Sequence, residues 1–329
     1  MKIIIDAMGG DNAPDAVIDG AYQAAKDFNV EILLVGDVAK LEESVADKGY
    51  SDKRVSFVKA SEVVDMDDDP IDVIKNKKDS SMVVAMNMLV SGDGDALISA
   101  GNTGALITGS TLIVKRIRNV RRAALGVIMP TDSGNMLLID GGANADCTPQ
   151  FLAQFAVMGS VYMSKIYGIN APKVGLVNIG TEEEKGNELT VTANKLLKTI
   201  DVNYVGNIEA RDVPFGVADV VVCDGFTGNI ILKLAEGFAM FLLGKIKHVF
   251  LSSIFTKLSA LVMRSKFSKL RKSMDYTEYG GAPILGLSKP VIKAHGSSNA
   301  NAFYHAIRQA VDYTKSGIIG EIAEKVKVD

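Results

Sequence analysis

The residues of this chain that could perform chemistry are concentrated in short Gly-, Asn- and Asp-rich segments, each following an apolar run. The central one is the stretch 220–233, VVVCDGFTGNIILK. Its β-branched run is typical of a buried strand, and Asp224-Gly225 is typical of the turn that ends a strand. A helix is predicted from about Thr227 or Asn229, either of which can cap it. Because a helix N-terminus presents free N–H groups and a positive dipole end, the stretch indicates an anion site.

Similar segments follow other predicted strands. Residues 96–99 lead into Ala100-Gly-Asn-Thr-Gly104, where Asn102 and Thr103 are helix caps that can turn toward a ligand. The others are Asp140-Gly-Gly-Ala-Asn144, the stretch 179–188 around Lys185, and His295-Gly-Ser-Ser-Asn299. One such loop is as compatible with an ordinary turn as with a binding site. Because ligands bind beyond the carboxyl ends of strands in open α/β sheets, we expect these loops to share one edge and line a polar cleft.

Alternating strand and helix patterns predict the fold class. We expect a three-layer α/β/α structure with a mostly parallel sheet, formed by residues 1–329 as a single domain. Strands predicted at 123–129 and 136–139, around the turn 131–135, indicate an antiparallel portion. No G-x-G-x-x-G follows the first strand and no G-x-x-x-x-G-K-[ST] occurs, so neither a standard dinucleotide fold nor a P-loop is supported.

Composition narrows the class of protein. The chain has 329 residues, 47% of them hydrophobic, and a net charge of −3, which is typical of a soluble globular protein and gives no nucleic-acid signal. Only Ile3, Ile4 and Ile5 form an apolar run near the N-terminus, far short of a signal peptide, so a cytoplasmic location is expected.

The cysteine, histidine and acidic residues favour structural interpretations. Cys147 and Cys223 lie in or beside apolar segments, so buried thiols in a reducing compartment are preferred over nucleophiles. The three histidines lack metal-ligand spacing, and no metal is expected. The acidic run 65–69 is interpreted as a solvated turn that ends at Pro70.

A basic segment lies downstream of the central stretch. Residues 245–272 contain eight Lys or Arg and no Asp or Glu, so the rest of the chain carries a net charge of −11. Apolar residues at helical spacing, with a break near 252–256, predict a protruding helical hairpin at about 232–275 with Ile254 and Phe255 near its tip. Three compatible interpretations remain open: a dimerisation element, a membrane-surface element, and a dock for an acidic protein. DNA binding is less favoured, because no recognition motif accompanies the charge.

Several motifs resemble, in order along nearly the whole chain, the bacterial phosphate acyltransferases of the PlsX family. They are Asp6-Ala-Met-Gly-Gly-Asp11, Ser99-Ala-Gly-Asn-Thr-Gly104, Asn178-Ile-Gly180 with Glu184-Lys-Gly-Asn187, Gly206-Asn-Ile-Glu209, Cys223-Asp-Gly-Phe-Thr-Gly-Asn229, Gly280-Gly-Ala-Pro283 and His295-Gly-Ser-Ser298. The resemblance implies transfer of a fatty acyl group from acyl carrier protein to inorganic phosphate, giving an acyl phosphate for phospholipid synthesis.

The resemblance also implies a homodimer without a cofactor and a fold similar to isopropylmalate dehydrogenases and phosphotransacetylases. Because an acyl phosphate would pass to a membrane-bound acyltransferase, peripheral membrane association is expected. Acyl carrier protein is acidic, so a cationic hairpin can hold it. The hairpin residues proposed to contact the carrier or the membrane are Lys257, Arg264, Lys266, Lys269 and Arg271.

Within this resemblance, phosphate is expected to attack the thioester directly, while the protein positions the reactants and stabilises the oxyanion. Lys185 is the first candidate for binding the phosphate charge or the oxyanion, and Asn229 is a further donor. Asp224 and His295 could orient donors or move a proton, with helix capping and a structural role as their alternatives. The phosphate-binding residues are expected to be Gly101, Asn102, Thr103, Gly104, Asn187 and Gly228. The alternatives are an acyltransferase that uses acyl-CoA and a non-catalytic, membrane-peripheral scaffold that binds anions.

Overall fold

The computed structural model describes residues 1–273 and 280–326, with all side chains in these ranges except those of Ile254, Leu258 and residues 268–273. Strands in this part of the chain form one mixed sheet. In chain order they are β1 Lys2–Asp6, β2 Glu31–Gly36, β3 Val55–Lys59, β4 Ala96–Ser99, β5 Ala124–Thr131, β6 Gly134–Ile139, β7 Lys173–Asn178, β8 Asn203–Glu209, β9 Val220–Val222, β10 Gly281–Leu285 and β11 Val291–Ala294.

Helices cover both faces of this sheet, which makes the predicted three-layer arrangement correct. They are α1 Asp15–Phe28, α2 Val38–Lys48, α3 Pro70–Asn76, α4 Ser81–Ser91, α5 Thr103–Gly109, α6 Pro149–Tyr167, α7 Glu188–Leu197, α8 Gly225–Leu251, α9 Ile254–Ser273, α10 Ala300–Lys315 and α11 Ile318–Lys325. Strand β1 illustrates the layering, because Ile3 and Ile5 enter one core cluster and Ile4 enters the other. A parallel strand buried on both faces needs such a continuous apolar run.

Strand directions divide the sheet into two halves. The strand order is β3-β2-β1-β4-β11-β10-β5-β6-β9-β7-β8. The first five strands are parallel to one another, and so are the last four. Between the halves, the pairs β11/β10, β10/β5 and β5/β6 are antiparallel. Three reversals are an odd number, so the two parallel groups run in opposite directions.

This reversal corrects the prediction that all Gly-rich loops lie at one edge. The loops after β1, β4 and β11 leave one edge of the sheet, and the loops after β6, β9 and β7 leave the opposite edge. The antiparallel pair β5/β6 is confirmed, but β10 adds two further antiparallel pairings. Its sequence, GAPIL, begins as a turn would, because Gly and Pro are depleted in strands.

The basic segment folds as two long helices joined at Ser252 and Ser253, as the hairpin prediction required. Gly225 and Gly228, in its first turn, are the residues of α8 that are buried. Phe250 of α8 and Phe267 of α9 pack edge to face, with ring centroids 4.7 Å apart. By length and composition, α8 is the one described helix that could cross a membrane.

Candidate active site

Three loops interlock at the carboxyl ends of β1, β4 and β11, and we call residues 7–14, 100–104 and 295–299 the first loop cluster. The Asp11 N–H donates to the Gly296 carbonyl at 2.8 Å. A side-chain carbon at Gly10, whose φ is +105°, would lie 3.0 Å from both the Ala100 side chain and the Gly296 carbonyl oxygen. Glycine is therefore required where these backbones meet.

A buried polar network lies beneath this cluster. Asp6 ends β1, and its carboxylate accepts hydrogen bonds from the Ser81 hydroxyl at 2.6 Å, the Ser99 hydroxyl at 2.7 Å and the Met8 N–H at 3.3 Å. Burial raises the pKa of Asp6, and these hydrogen bonds oppose the shift. Lys293, at the end of β11, is also buried and donates to the carbonyls of Ala100 and Ala294.

Two of the four predicted phosphate-binding residues in this cluster are occupied by other contacts. The Gly101 N–H donates to the Ser99 hydroxyl at 3.1 Å. Asn102 does not turn outward as predicted: its Oδ1 accepts from the Ala105 N–H, and its Nδ2 donates to three carbonyls of the acidic loop. Thr103 and Gly104 keep N–H groups that have no partner among the described hydrogen bonds, as expected in the first turn of a helix.

His295 lies in the last loop of the first cluster and is exposed. Its Nδ1 contacts the Ser297 hydroxyl at 2.8 Å and accepts from the Ser297 N–H at 3.2 Å. Accepting an N–H bond requires an unprotonated Nδ1, so we assign the ring proton to Nε2. The imidazole is thus oriented by its own loop.

At the opposite edge of the sheet, Asp140 organises the loop after β6. Its fully buried carboxylate accepts from the N–H groups of Leu125, Gly142, Ala143 and Asn144 and from the Asn144 amide, at 2.7–3.1 Å. Desolvation raises the pKa of Asp140, and the hydrogen bonds oppose this shift. We call this loop, residues 140–148, together with residues 179–187 and 223–229, the second loop cluster.

Helix α8 begins directly on the Asp140 loop. It starts at Gly225 and not near Thr227, because Asp224 is its N-cap: the Asp224 carboxylate accepts from the Thr227 N–H at 2.8 Å and from the Thr227 hydroxyl at 2.9 Å. The Gly225 N–H donates to the Asn144 carbonyl at 2.7 Å. A side chain at Gly228 would overlap the Asp140 carbonyl oxygen. The prediction of Gly228 as a phosphate donor is wrong, since its N–H makes a helical bond to the Asp224 carbonyl.

Asn229 follows immediately and has a different environment. Its side chain is half-buried against Gly142, where a Cβ would stand 3.5 Å from the Asn229 Cβ. Gly142 has φ +138°, a conformation that favours glycine, so its backbone can approach the amide. The Asn229 amide makes no hydrogen bond to a described residue. Its N–H groups are therefore available to an oxyanion.

Lys185 lies in the neighbouring loop, between β7 and α7. Its backbone is fixed, because the Asn178 Nδ2 donates to the Lys185 carbonyl at 2.9 Å. The Lys185 ammonium is exposed and forms no ion pair with a described residue. Asn187 caps α7, with its Oδ1 accepting from the Thr190 N–H at 3.0 Å, so only its Nδ2 remains for a ligand.

Cys223 is buried as predicted, whereas Cys147 is half-buried, and the acidic run forms the predicted turn. Burial raises the pKa of the Cys147 thiol to about 12 and also raises the pKa of Cys223 well above its usual value, so neither is a thiolate at neutral pH. In the acidic run, Asp69 caps α3, and Lys77 binds Asp68 and the Val63 carbonyl. No group of metal-ligating side chains forms among the described residues.

Comparison with known proteins identifies the family. The family described as "Fatty acid synthesis protein" matches residues 1–321. A phosphate acyltransferase of Caldanaerobacter subterraneus is 47% identical over 329 residues, covering 100% of this chain and 98% of that protein. A phosphate acyltransferase of Bacillus licheniformis is 47% identical, covering 99% of this chain and 98% of that protein. The chain belongs to the phosphate acyltransferase family. It is therefore an enzyme that transfers an acyl group with phosphate as a substrate.

Solved structures support the fold of this phosphate acyltransferase. A phosphotransacetylase from Streptococcus pyogenes aligns with a TM-score of 0.65 at 18% identity, covering 97% of this chain and 94% of that one. A 4-hydroxythreonine-4-phosphate dehydrogenase from Salmonella typhimurium aligns with a TM-score of 0.53 at 12% identity, covering 94% and 98%. The predicted likeness to phosphotransacetylase and dehydrogenase folds is thereby confirmed.

Sequence reasoning did not single out Asp6, Asp140 or Lys293 of this phosphate acyltransferase. Each is a charged residue at the end of an apolar strand: Asp6 follows Ile3–Ile5, Asp140 follows LLI, and Lys293 interrupts VIKA. In these three cases the charged residue is buried together with the apolar run that it ends or interrupts. A charged residue next to a strongly apolar strand could therefore have marked these positions as candidate functional residues, because buried charged residues need partners or a function.

Proposed function

We propose that this phosphate acyltransferase takes its acyl group from acyl-[acyl carrier protein] and forms an acyl phosphate for phospholipid synthesis. A phosphate oxygen attacks the thioester carbonyl carbon, a C–O bond forms, and the C–S bond breaks. The thiolate of the carrier leaves and takes up a proton from solvent. No acyl-enzyme is needed, because phosphate supplies the nucleophile and a thiolate is a good leaving group.

In this proposal the two loop clusters have different roles, phosphate binding and oxyanion stabilisation. The first holds phosphate through the free N–H groups of Thr103 and Gly104. The second stabilises the developing oxyanion through the Asn229 amide and the Lys185 ammonium, both of which are free of described partners. The proposal requires both clusters to border one substrate, because the attacking phosphate oxygen and the developing oxyanion are bonded to the same carbon.

The charge of the basic hairpin supports acyl carrier protein as the acyl donor. Among the described side chains, Lys245, Lys247, Lys257, Arg264 and Lys266 are exposed, and no acid interrupts residues 245–272. The side chains of Lys269 and Arg271 lie outside the described residues. An extended cationic surface attracts and orients an acidic carrier protein, which supports the carrier as the donor.

The deciding experiment incubates the purified protein with palmitoyl-[acyl carrier protein] and phosphate. We expect phosphate-dependent release of free carrier together with hydroxylamine-trappable acyl phosphate. A parallel reaction with palmitoyl-CoA tests the second candidate, which the likeness to phosphotransacetylase folds favours. If the reaction is faster with the CoA ester at equal concentration, the acyl donor is acyl-CoA and the carrier is rejected as the donor. Because the chain belongs to an enzyme family, the alternative of a non-catalytic scaffold that binds anions is rejected.

We further propose a homodimer, formed through the apolar face of the hairpin. Leu234, Phe238 and Phe241 are 58–68% exposed on α8, and a second copy of the chain would cover them. Leu234→Ser with Phe238→Ser should shift the mass measured by light scattering from dimer to monomer. Phe215→Ser, which changes an exposed residue in a different element, should leave it unchanged. A wild-type monomer would reject the dimer.

We propose that the protein is cytoplasmic and that the tip of its hairpin contacts the membrane surface. Phe255 is 84% exposed beside Lys257, an apolar and cationic combination that suits an anionic lipid surface. The acyl phosphate would there reach a membrane-bound acyltransferase without crossing the cytoplasm.

A further inference from the structure

Lys293 is a buried ammonium without a counter-ion among the described residues. It is 8% exposed, and its described hydrogen bonds go to the carbonyls of Ala100 and Ala294. It forms no ion pair with a described residue. An ammonium has three N–H donors, so one donor has no described acceptor and no carboxylate pairs directly with the charge. Such a charge is unfavourable in a protein interior unless an anion binds to it.

The nearby carboxylates do not fill this role. Asp6 is already engaged by two serine hydroxyls and a backbone N–H, and Asp11 is exposed at the rim of the first loop cluster. Both influence Lys293 through space, yet desolvation outweighs them and lowers the pKa of Lys293 to about 8. The lysine is therefore poised to gain charge when an anion arrives.

A second buried donor lies in the same cluster. Ser298 is 1% exposed, and its hydroxyl has no hydrogen-bond partner among the described residues, although its backbone N–H donates to the His295 carbonyl. Buried hydroxyls are normally paired, so an unpaired one needs an explanation. Both Lys293 and Ser298 stand at the carboxyl ends of β4 and β11, where ligands bind in sheets of this kind.

We propose that Lys293 and Ser298 form the binding subsite for inorganic phosphate within the first loop cluster. The ammonium donates to one phosphate oxygen and neutralises part of the dianion, and the Ser298 hydroxyl donates to another. Binding requires no covalent step. This inference rests on the proposed function, in which the first loop cluster binds phosphate and does not bind the thioester.

Steady-state kinetics with varied phosphate test the subsite. In Lys293→Met the KM for phosphate should rise about 10- to 100-fold, because a hydrogen bond to a charged group is lost. Its KM for the acyl donor should stay within about twofold. Ser298→Ala should raise the phosphate KM by a smaller factor, as expected for a neutral donor. Lys289→Met, at the exposed start of the same β-hairpin arm, is the matched control and should behave as wild type.

Calorimetry of inorganic phosphate binding to the wild-type protein provides a test that does not depend on turnover. At about pH 8.5 Lys293 is only partly charged in the free protein, because its pKa is lowered to about 8, and free phosphate is a dianion. Titrations in two buffers of different ionisation enthalpy should show uptake of a fraction of a proton per phosphate bound. Lys293→Met should abolish the uptake.

The failures of the two proposals are distinguishable. Phosphate binding without proton uptake, or an unchanged phosphate KM in folded Lys293→Met, would overturn the Lys293 subsite while leaving acyl transfer from the carrier intact. A rise in KM confined to the acyl donor would also overturn it, because the cluster would then bind the thioester. Wild-type protein that binds phosphate with proton uptake yet forms no acyl phosphate would instead support the subsite and reject the proposed donor.

Discussion

At the residue scale, the site combines groups that are committed to structure with groups that are left free. Asn102 and Asn229 show the difference. Both are Asn residues near the start of a helix, but Asn102 uses its amide on four backbone groups, whereas the Asn229 amide has no described partner. Only the three-dimensional surroundings distinguish them, since sequence assigns the same capping chemistry to both. A free, half-buried amide is the better candidate for an oxyanion donor.

Replacement of Asn229 by Ala is predicted to lower kcat by about 10²- to 10³-fold, the usual effect of removing one oxyanion donor. The KM for phosphate should change little, because phosphate is assigned to the other loop cluster. Asn87→Ala, at an exposed position on α4, serves as the control. Initial rates of acyl-phosphate formation, with circular dichroism to verify folding, provide the measurement. A folded Asn229→Ala enzyme within a few fold of wild type would remove Asn229 from the mechanism.

Lys293 should also leave a signature in stability. Its pKa is lowered from 10.5 to about 8 in the folded protein, so between these pH values the unfolded chain binds more protons than the native one. Wild-type stability should therefore rise with pH across this window relative to Lys293→Met, in which the group is absent. Urea unfolding of both proteins at several pH values measures the difference. A pH-independent difference between pH 7 and pH 10 would mean that the folded lysine titrates normally.

At the element scale, the sequence was informative where a pattern is local. Strand β4 has the predicted bounds, because its apolar run is short and the Gly-rich turn that follows it is marked in the sequence. Strand β10 was missed, because Gly-Ala-Pro favours a turn until its pairing with β5 and β11 is known. The start of α8 was placed too late, because Asp224 and Thr227 are both good caps and only the contact with the Asp140 loop decides between them.

The packing of α8 on this loop predicts opposite effects of the same substitution at two glycines. Gly228→Ala should destabilise the protein and lower activity, because the new methyl group overlaps the Asp140 carbonyl oxygen. Gly237→Ala, on the same helix with open space around it, should be neutral or stabilise by about 0.5–1 kcal/mol through helix propensity. Thermal unfolding with activity assays compares the pair. Equal stability of the two variants would contradict close packing at Gly228.

At the scale of the whole molecule, the reversal between the two halves of the sheet was inaccessible to local reasoning. Strand direction depends on how many antiparallel neighbours separate two groups, and one missed strand changes that count. The positions of the loops along the chain therefore could not predict that these loops leave opposite edges of the sheet. The hairpin, in contrast, could be predicted from the local sequence. Its helices pack mainly on each other, and its charge belongs to one continuous segment.

The hairpin charge leads to a prediction for the whole enzyme acting on its carrier. Changing Lys257, Arg264 and Lys266 to Glu should raise the KM for acyl-[acyl carrier protein] about tenfold or more at low salt, with kcat nearly unchanged, because the exposed charges steer and hold an acidic partner. The effect should shrink as salt screens the interaction. A matched variant with Lys26, Lys40 and Lys53 changed to Glu carries the same net charge on another surface and should show little change. If both triple variants lose affinity equally, net charge and not the hairpin determines carrier binding.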